Sequence, residues 1–237
     1  MKKVWIIALK EWHYLFSNPV GYIFAGILLL VAGWLFMGDL FLMGQADMKP
    51  YWNVVNFLLS VFVPAVVMGS IADEKKNGTW EVILSTPIRE LELVAGKMLG
   101  YGMYLGMVLL LTLPITITLL VLGKPDVGPM IGGYIGTLLL ALAYLAVGLF
   151  FSSISSQAIV AFLATTITLI LNNLIGQESV LMKLPTILRK VVEGISLSSR
   201  SARFADGVIE ISSLVFFVSW LVVFTMLTVV SLKTRDK

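Results

Sequence analysis

The residues able to do chemistry are few, and the usual arrangements are missing. The chain has one histidine, His13, and no cysteine. No thiolate nucleophile, disulfide or cysteine metal site can form, and His13 has no second imidazole with which to build a metal cluster. The many serines lack a plausible base partner, since an activated hydroxyl needs a His or Lys within hydrogen-bond reach. Gly96-Lys97 in "AGKM" is not a phosphate-binding loop: Met98 replaces the Ser or Thr, and no glycine stands five positions before Gly96. The expectation is a chain without catalytic residues, metal or cofactor, and so not an enzyme. Any nucleotide that drives it is hydrolysed on another subunit.

What remains is one charged island, "DEKKNGTWEVILSTPIRELELVAGK", Asp73 to Lys97. Asn77-Gly78 breaks a helix there. Thr79 can cap a short new helix, with Glu81 in its first turn where the helix dipole favours an acid. Trp80, Ile83 and Leu84 then fall at i, i+3 and i+4 on one apolar face. Thr86-Pro87 is a second start signal, with Pro87 at the first helical position, and Lys97 marks the headgroup level where the third span begins. Two readings of the apolar face stand on these residues alone. It docks into a groove on a soluble partner, or it dips into lipid headgroups.

The elements that hold this island are set by composition. The 237 residues are 58% hydrophobic and only 13% charged, against roughly 25% charged in soluble domains. So much apolar surface requires lipid as solvent, and an all-α polytopic membrane protein follows. The net charge of +3 fits basic residues at a bilayer surface, not nucleic-acid binding. Six apolar runs can span about 30 Å of hydrocarbon: 20–43, 52–72, 98–122, 130–151, 158–175 and 212–232. They are continuous, unlike the alternating segments of a barrel. The whole chain, 1–237, reads as one transmembrane domain. Residues 1–18 precede the first span, 73–97 link the second and third, and 176–211 form a long loop before the last.

Orientation rests on Lys and Arg near the span ends. With both termini inside, ten basic residues lie inside and seven outside, five of those seven in the long loop. Each short outer loop has a single one, so both termini and the island are placed in the cytoplasm. Trp5, Leu9, Trp12 and Phe16 recur at helical spacing before Pro19, with Lys2, Lys3, Lys10 and Glu11 around them. This predicts a helix lying in the headgroup region. In the long loop, Pro185 starts and Gly194 closes a short helix bearing Ile187, Leu188, Val191, Val192 and Ile195 on one face. It is expected to rest on the outer leaflet or cap the spans.

Within the spans, Gly96/Gly100, Gly102/Gly106 and Gly132/Gly136 have the spacing that lets helix backbones approach closely, within one subunit or between two. Pro64 and Pro114 can kink the second and third spans. Asp39 is the one ionised candidate within a span, near its outer end. Asn56, Ser60, Thr112, Thr116, Thr118, Asn172 and Asn173 are the remaining polar candidates. No chain of buried charges suggests an ion-driven carrier. A secondary carrier or channel, and a membrane scaffold for an outer complex that docks on 176–211, are the alternatives.

The run Glu74-x-x-x-Gly78-Thr79-x-Glu81-x-x-Leu84-x-x-Pro87, followed by Glu92 and Gly96-Lys97, resembles the signature of type-2 ABC transporter permeases. The helix before the first span, the six spans and the long outer loop resemble that family's plan. "FADGVIEISSLVFFVSW" is similar to the subgroup that includes gliding-motility permeases and those of nitrous oxide reductase maturation. The resemblance implies a permease in the bacterial inner membrane, paired with a second copy or a paralogue above two ATPase subunits. ATP and Mg are then expected on those partner subunits. It implies that Gly78–Pro87 is the coupling helix, with Thr79, Glu81 and Leu84 carried over from the motif and Trp80 at a variable, usually apolar position. It also implies export or transmission of movement, with room for an extracytoplasmic partner. The "SSISSQ" turn, Ser152 to Gln157, is a candidate second contact or a plain turn.

Overall fold

The computed structural model describes residues 2–43, 47–84, 87–123, 125–177, 180, 182 and 185–235. The side chains of Asp39, Leu84, Ile187 and Val191, and all of Thr86, lie outside the described set. Every regular element described is a helix. They are α1 (Lys2–Ser17), α2 (Pro19–Met43), α3 (Lys49–Val67), α4 (Gly69–Lys76), α5 (Thr79–Leu84) and α6 (Glu90–Leu110). Then follow α7 (Leu113–Leu122), α8 (Val127–Ile154), α9 (Ala158–Ile175), α10 (Thr186–Ile195), α11 (Leu197–Ala205) and α12 (Ile211–Arg235).

Six stretches are long and apolar enough to cross a membrane: 21–38, 49–76, 90–122, 127–154, 158–175 and 211–234. Two of them are broken rods. The second consists of α3 and α4, parted at Met68 four residues after Pro64. The third consists of α6 and α7, parted at Leu111–Thr112 with Pro114 in the first turn of α7. A proline lacks the N–H that would continue the ladder, so the chain breaks where another group can satisfy the freed backbone. At the first break that group is Ser152 of α8. Its hydroxyl accepts from the Ile71 and Ala72 N–H groups, each at 3.1 Å, and donates to the Met68 carbonyl at 2.8 Å.

The core forms around α8, with Leu140, Ala141, Tyr144 and Leu145 fully buried. α3, α6, α9, α11 and α12 all pack on it. One end of the bundle carries α1, α4, α5 and the start of α6. The other carries α10, α11 and the start of α3 and α8.

The loop before the last span differs from expectation. It holds two helices, and the first runs through Gly194 to end at Ile195. The second, α11, is driven into the bundle: Leu197 and Phe204 are fully buried. Gly132 and Gly136 form its cradle. A Cβ on Gly132 would stand 2.1 Å from the Phe204 carbonyl oxygen, and one on Gly136 would stand 2.6 Å from the Phe204 Cβ. Asn56 anchors the same helix. Its amide donates to Ser201 Oγ at 3.1 Å, and its oxygen accepts from Thr137 at 3.1 Å. Asn172 and Asn173 also close onto protein, binding the Leu197 N–H at 3.0 Å and the Tyr144 hydroxyl at 2.8 Å. Thr112 and Thr116 share the Tyr134 hydroxyl, at 3.0 and 2.8 Å. Ser60 and Thr118 bond back to their own helices. These polar side chains serve packing between or within helices.

Candidate functional site

The charged island folds as a hairpin of short helices. α4 ends at Lys76, and Gly78 reverses the chain at φ +70°, a left-handed conformation that glycine adopts without Cβ strain. The Gly78 N–H reaches the Lys75 carbonyl at 3.3 Å and closes the turn. Thr79 begins α5, but its hydroxyl donates backward to the Glu74 carbonyl at 3.1 Å. The expected cap on α5 is thus a clip between α5 and α4. A cap accepts from N–H groups ahead of it, whereas the reversed chain brings the α4 carbonyl closer. The next helix starts at Glu90 and not at Pro87. The Glu92 carboxylate takes the Arg89 N–H at 3.1 Å, which fixes the start there.

Trp80 faces inward. Only 7% of it is exposed, and it joins the chain's own core. The Lys75 ammonium lies 5.6 Å from the indole centroid and also donates to the Ser153 carbonyl. Ile83 is half-buried against the same core. Among the described residues, what the hairpin exposes is polar: Lys76, Asn77, Gly78, Thr79 and Glu81, with Pro87 beyond them. For Trp80 and Ile83 the expected apolar bump is turned inward, while the Leu84 side chain lies outside the described residues. Helical spacing puts Trp80 and Ile83 on one face, but the hairpin turns that face toward α4 and the chain's own core.

Behind the hairpin lies an ion cluster that sequence reasoning missed. Lys97 was expected at headgroup level. It is fully buried, at 0% exposure. Its ammonium bonds Glu11 Oε1 of α1 at 2.9 Å, Glu74 Oε1 of α4 at 2.9 Å and the Ser70 carbonyl at 2.7 Å. All three N–H donors of the ammonium are used. Glu11, expected among the surface charges of α1, is 4% exposed. Lys10 adds a weaker contact from the surface, 3.3 Å from Glu74 Oε1. Lys97 thereby clasps α1, α4 and α6 at one point.

The helices beside the clasp touch backbone to backbone. A Cβ on Gly100 would stand 2.7 Å from the Ala8 carbonyl oxygen, and one on Gly96 would stand 2.6 Å from Ile7 Cβ. These two glycines hold α6 against α1. The protein-facing stripe of α1 is Ile7, Ala8, Glu11 and Leu15, while Trp5 and Leu9 are exposed. Gly102 and Gly106 meet Leu142 and Leu138 of α8 more loosely, at 3.0 and 4.0 Å. At the far side of the hairpin, Lys3 donates to the Pro87 carbonyl. Among the described residues, no group of three or more His, Cys, Asp or Glu side chains is placed to hold a metal ion.

Among the described residues, an all-helical bundle of six membrane-length helices, entered by an amphipathic helix and carrying a short helix between the second and third spans, defines a polytopic membrane protein. Residues 51–199 match the family described as ABC-2 family transporter protein, and the chain belongs to that family. No curated protein matches the chain. The match runs from the first turn of α3 to the first turn of α11. It therefore includes the hairpin, Lys97 and the cradle of α11. The chain is a multi-pass membrane protein of an ABC transport system, and its family associates with ABC ATPase subunits.

Proposed function

We propose that this chain is the permease subunit of an ABC transporter, driven through α5 by a separate ATPase that binds ATP and Mg. In this reading the α5 end and both termini face the bacterial cytoplasm, and two ATPase subunits sit beneath a pair of permeases. The docking surface is the polar outer face of the hairpin, Gly78, Thr79 and Glu81, with Pro87 beside it. Trp80, Ile83 and Lys75 stiffen it from behind. The movement exports a substrate or transmits a conformational change to a partner outside, as the likeness to the gliding-motility subgroup suggests.

One observation carries the reading: Lys97 of α6 binds the α4 arm of the hairpin together with α1, so a push on α5 reaches α1, α4 and α6 together. A loop that merely joined two spans would need no buried charge to hold it. The test is Glu81→Arg. Glu81 is exposed and makes no ion pair among the described residues, so its reversal leaves the fold intact while placing a like or unlike charge in the contact. The expected result is loss of the co-purifying ATPase, or loss of the permease's effect on ATP turnover, with an unchanged unfolding temperature. Full retention of both refutes α5 as the docking element.

A further inference from the structure

The end of the bundle opposite α5 contains a cavity of about 790 Å³ between α3, α9, α10 and α11. Its size is that of a small-ligand site, but such sites are mostly apolar, and this one is not. Three cations line it, Lys49, Arg189 and Arg203, with two carboxylates, Glu193 and Asp206. Lys49 pairs with Asp206 at 2.7 Å and Arg189 with Glu193 at 2.7 Å. Arg203 reaches Glu210 outside the cavity at 2.9 Å. Each cation is about half exposed and is held through one nitrogen contact. A guanidinium has five N–H donors and an ammonium three, so most donors remain free to face the cavity. The exposed amides of Asn53 and Gln177 add more.

Each cation is balanced by its own carboxylate, so it is the surplus of N–H donors, and not net charge, that suits a ligand rich in anionic oxygen. Guanidinium and ammonium groups together are a phosphate-binding set. The setting points to its source. α10 turns Arg189 and Glu193 toward the cavity and leaves Leu188 and Ile195 outside, 52% and 53% exposed. A helix with one apolar side outward and one charged side inward lies at a lipid surface. The cavity therefore opens where lipid headgroups reside.

We propose that this cavity binds a phosphate-bearing headgroup, the phosphodiester of a membrane lipid, on Lys49, Arg189 and Arg203. The proposal does not depend on which end of the bundle faces the cytoplasm, nor on docking at α5.

The test uses the full chain, with any subunits that accompany it, in an uncharged detergent. It is titrated by calorimetry with a short-chain phosphatidylglycerol and, separately, with inorganic phosphate. The expected result is saturable lipid binding that weakens with salt and is displaced by phosphate. Lys49→Gln with Arg189→Gln should weaken it about tenfold or more, since two charge-assisted contacts are lost. Asn53→Leu, which narrows the cavity and leaves its charges, should weaken it independently and serves if the double variant does not fold. Binding of inorganic phosphate without the lipid keeps the phosphate site and assigns it a soluble ligand. Binding of neither, or equal binding by wild type and both variants, overturns the proposal.

Discussion

Replacing Lys97 by Met tests the clasp most directly. The methionine fills nearly the same volume, so the change removes charge more than packing. Glu11 and Glu74 would then face each other without their shared cation. Both Oε1 atoms lie 2.9 Å from the same ammonium, so they stand within about 6 Å of each other, close enough to repel. Removing one partner of a buried ion pair costs about 3–5 kcal/mol. Lys10 offsets part of this, but its side chain is 61% exposed and its contact to Glu74 is longer, which makes it worth at most about 1 kcal/mol. The net expectation is a loss of about 3 kcal/mol, or roughly 6–12 °C in unfolding temperature for a chain of this size. The measurement is thermal unfolding in lipid nanodiscs, followed by intrinsic fluorescence.

The decisive comparison is Lys97→Met combined with Glu11→Gln and Glu74→Gln. Replacing a whole buried charge set is often nearly neutral, because no ion is left stranded. The triple variant should recover most of the lost stability, short of the bond that Lys97 gives the Ser70 carbonyl. If it is as unstable as Lys97→Met alone, packing and not charge holds the three helices. If Lys97→Met alone is neutral, the cluster does not form in the membrane.

Three further changes follow from the same geometry. Trp80→Ala should lower stability by about 3–5 kcal/mol in the same assay, because it empties a buried aromatic site; an unchanged unfolding temperature would mean that the indole faces outward. Gly136→Val places a Cβ 2.6 Å from Phe204 Cβ and should unseat α11. The chain has no native cysteine, so maleimide labelling of Ser201→Cys reports this cleanly: slow with Gly136 in place, fast with the valine. Ser152→Ala leaves two buried N–H groups without a partner, at about 1–3 kcal/mol each; thermal unfolding should register the loss, and Ser152→Thr should restore part of it.

The six membrane helices were legible because each is a long apolar run, and run length is a local property. The breaks in the second and third spans were legible at Pro64 and Pro114 for the same reason. Direction toward a neighbour was not. The i, i+3, i+4 spacing of Trp80, Ile83 and Leu84 marks an apolar face without saying what covers it, and here the protein's own core covers Trp80 and Ile83. Lys97 looked like a headgroup residue because a lone lysine at a span end usually is one. Its partners are 86 and 23 residues away, beyond any local pattern. Glu74 and Lys97 both stand in the motif, and two opposite charges bracketing a hairpin are the sequence signal of their pairing. α11 escaped because "LSSRSARFA" is short and polar. The clue lay elsewhere, in Gly132 and Gly136, which had to be small for a bulky partner to seat.

The two breaks sit at different distances from the clasp, and that difference shapes how a push at α5 would travel. Ser70, which binds Lys97, is two residues from the break at Met68. Leu111, the other break, is fourteen residues from Lys97 along α6, or roughly 21 Å of continuous helix. The second span can therefore pivot beside the clasp, where Ser152 supplies the hydrogen bonds that its broken backbone needs. The third span cannot bend so early. α6 carries any displacement as a rigid rod, with α1 packed along its first turns through Gly96 and Gly100, until the turn at Leu111–Thr112. Beyond that turn, α7 belongs to the end of the bundle that Asn56, Ser201 and the Phe204 cradle lock together. If α5 is the docking element proposed above, one buried lysine makes a lever of the third span and a pivot of the second, and its cost in desolvation is that of a part retained for registry between moving pieces.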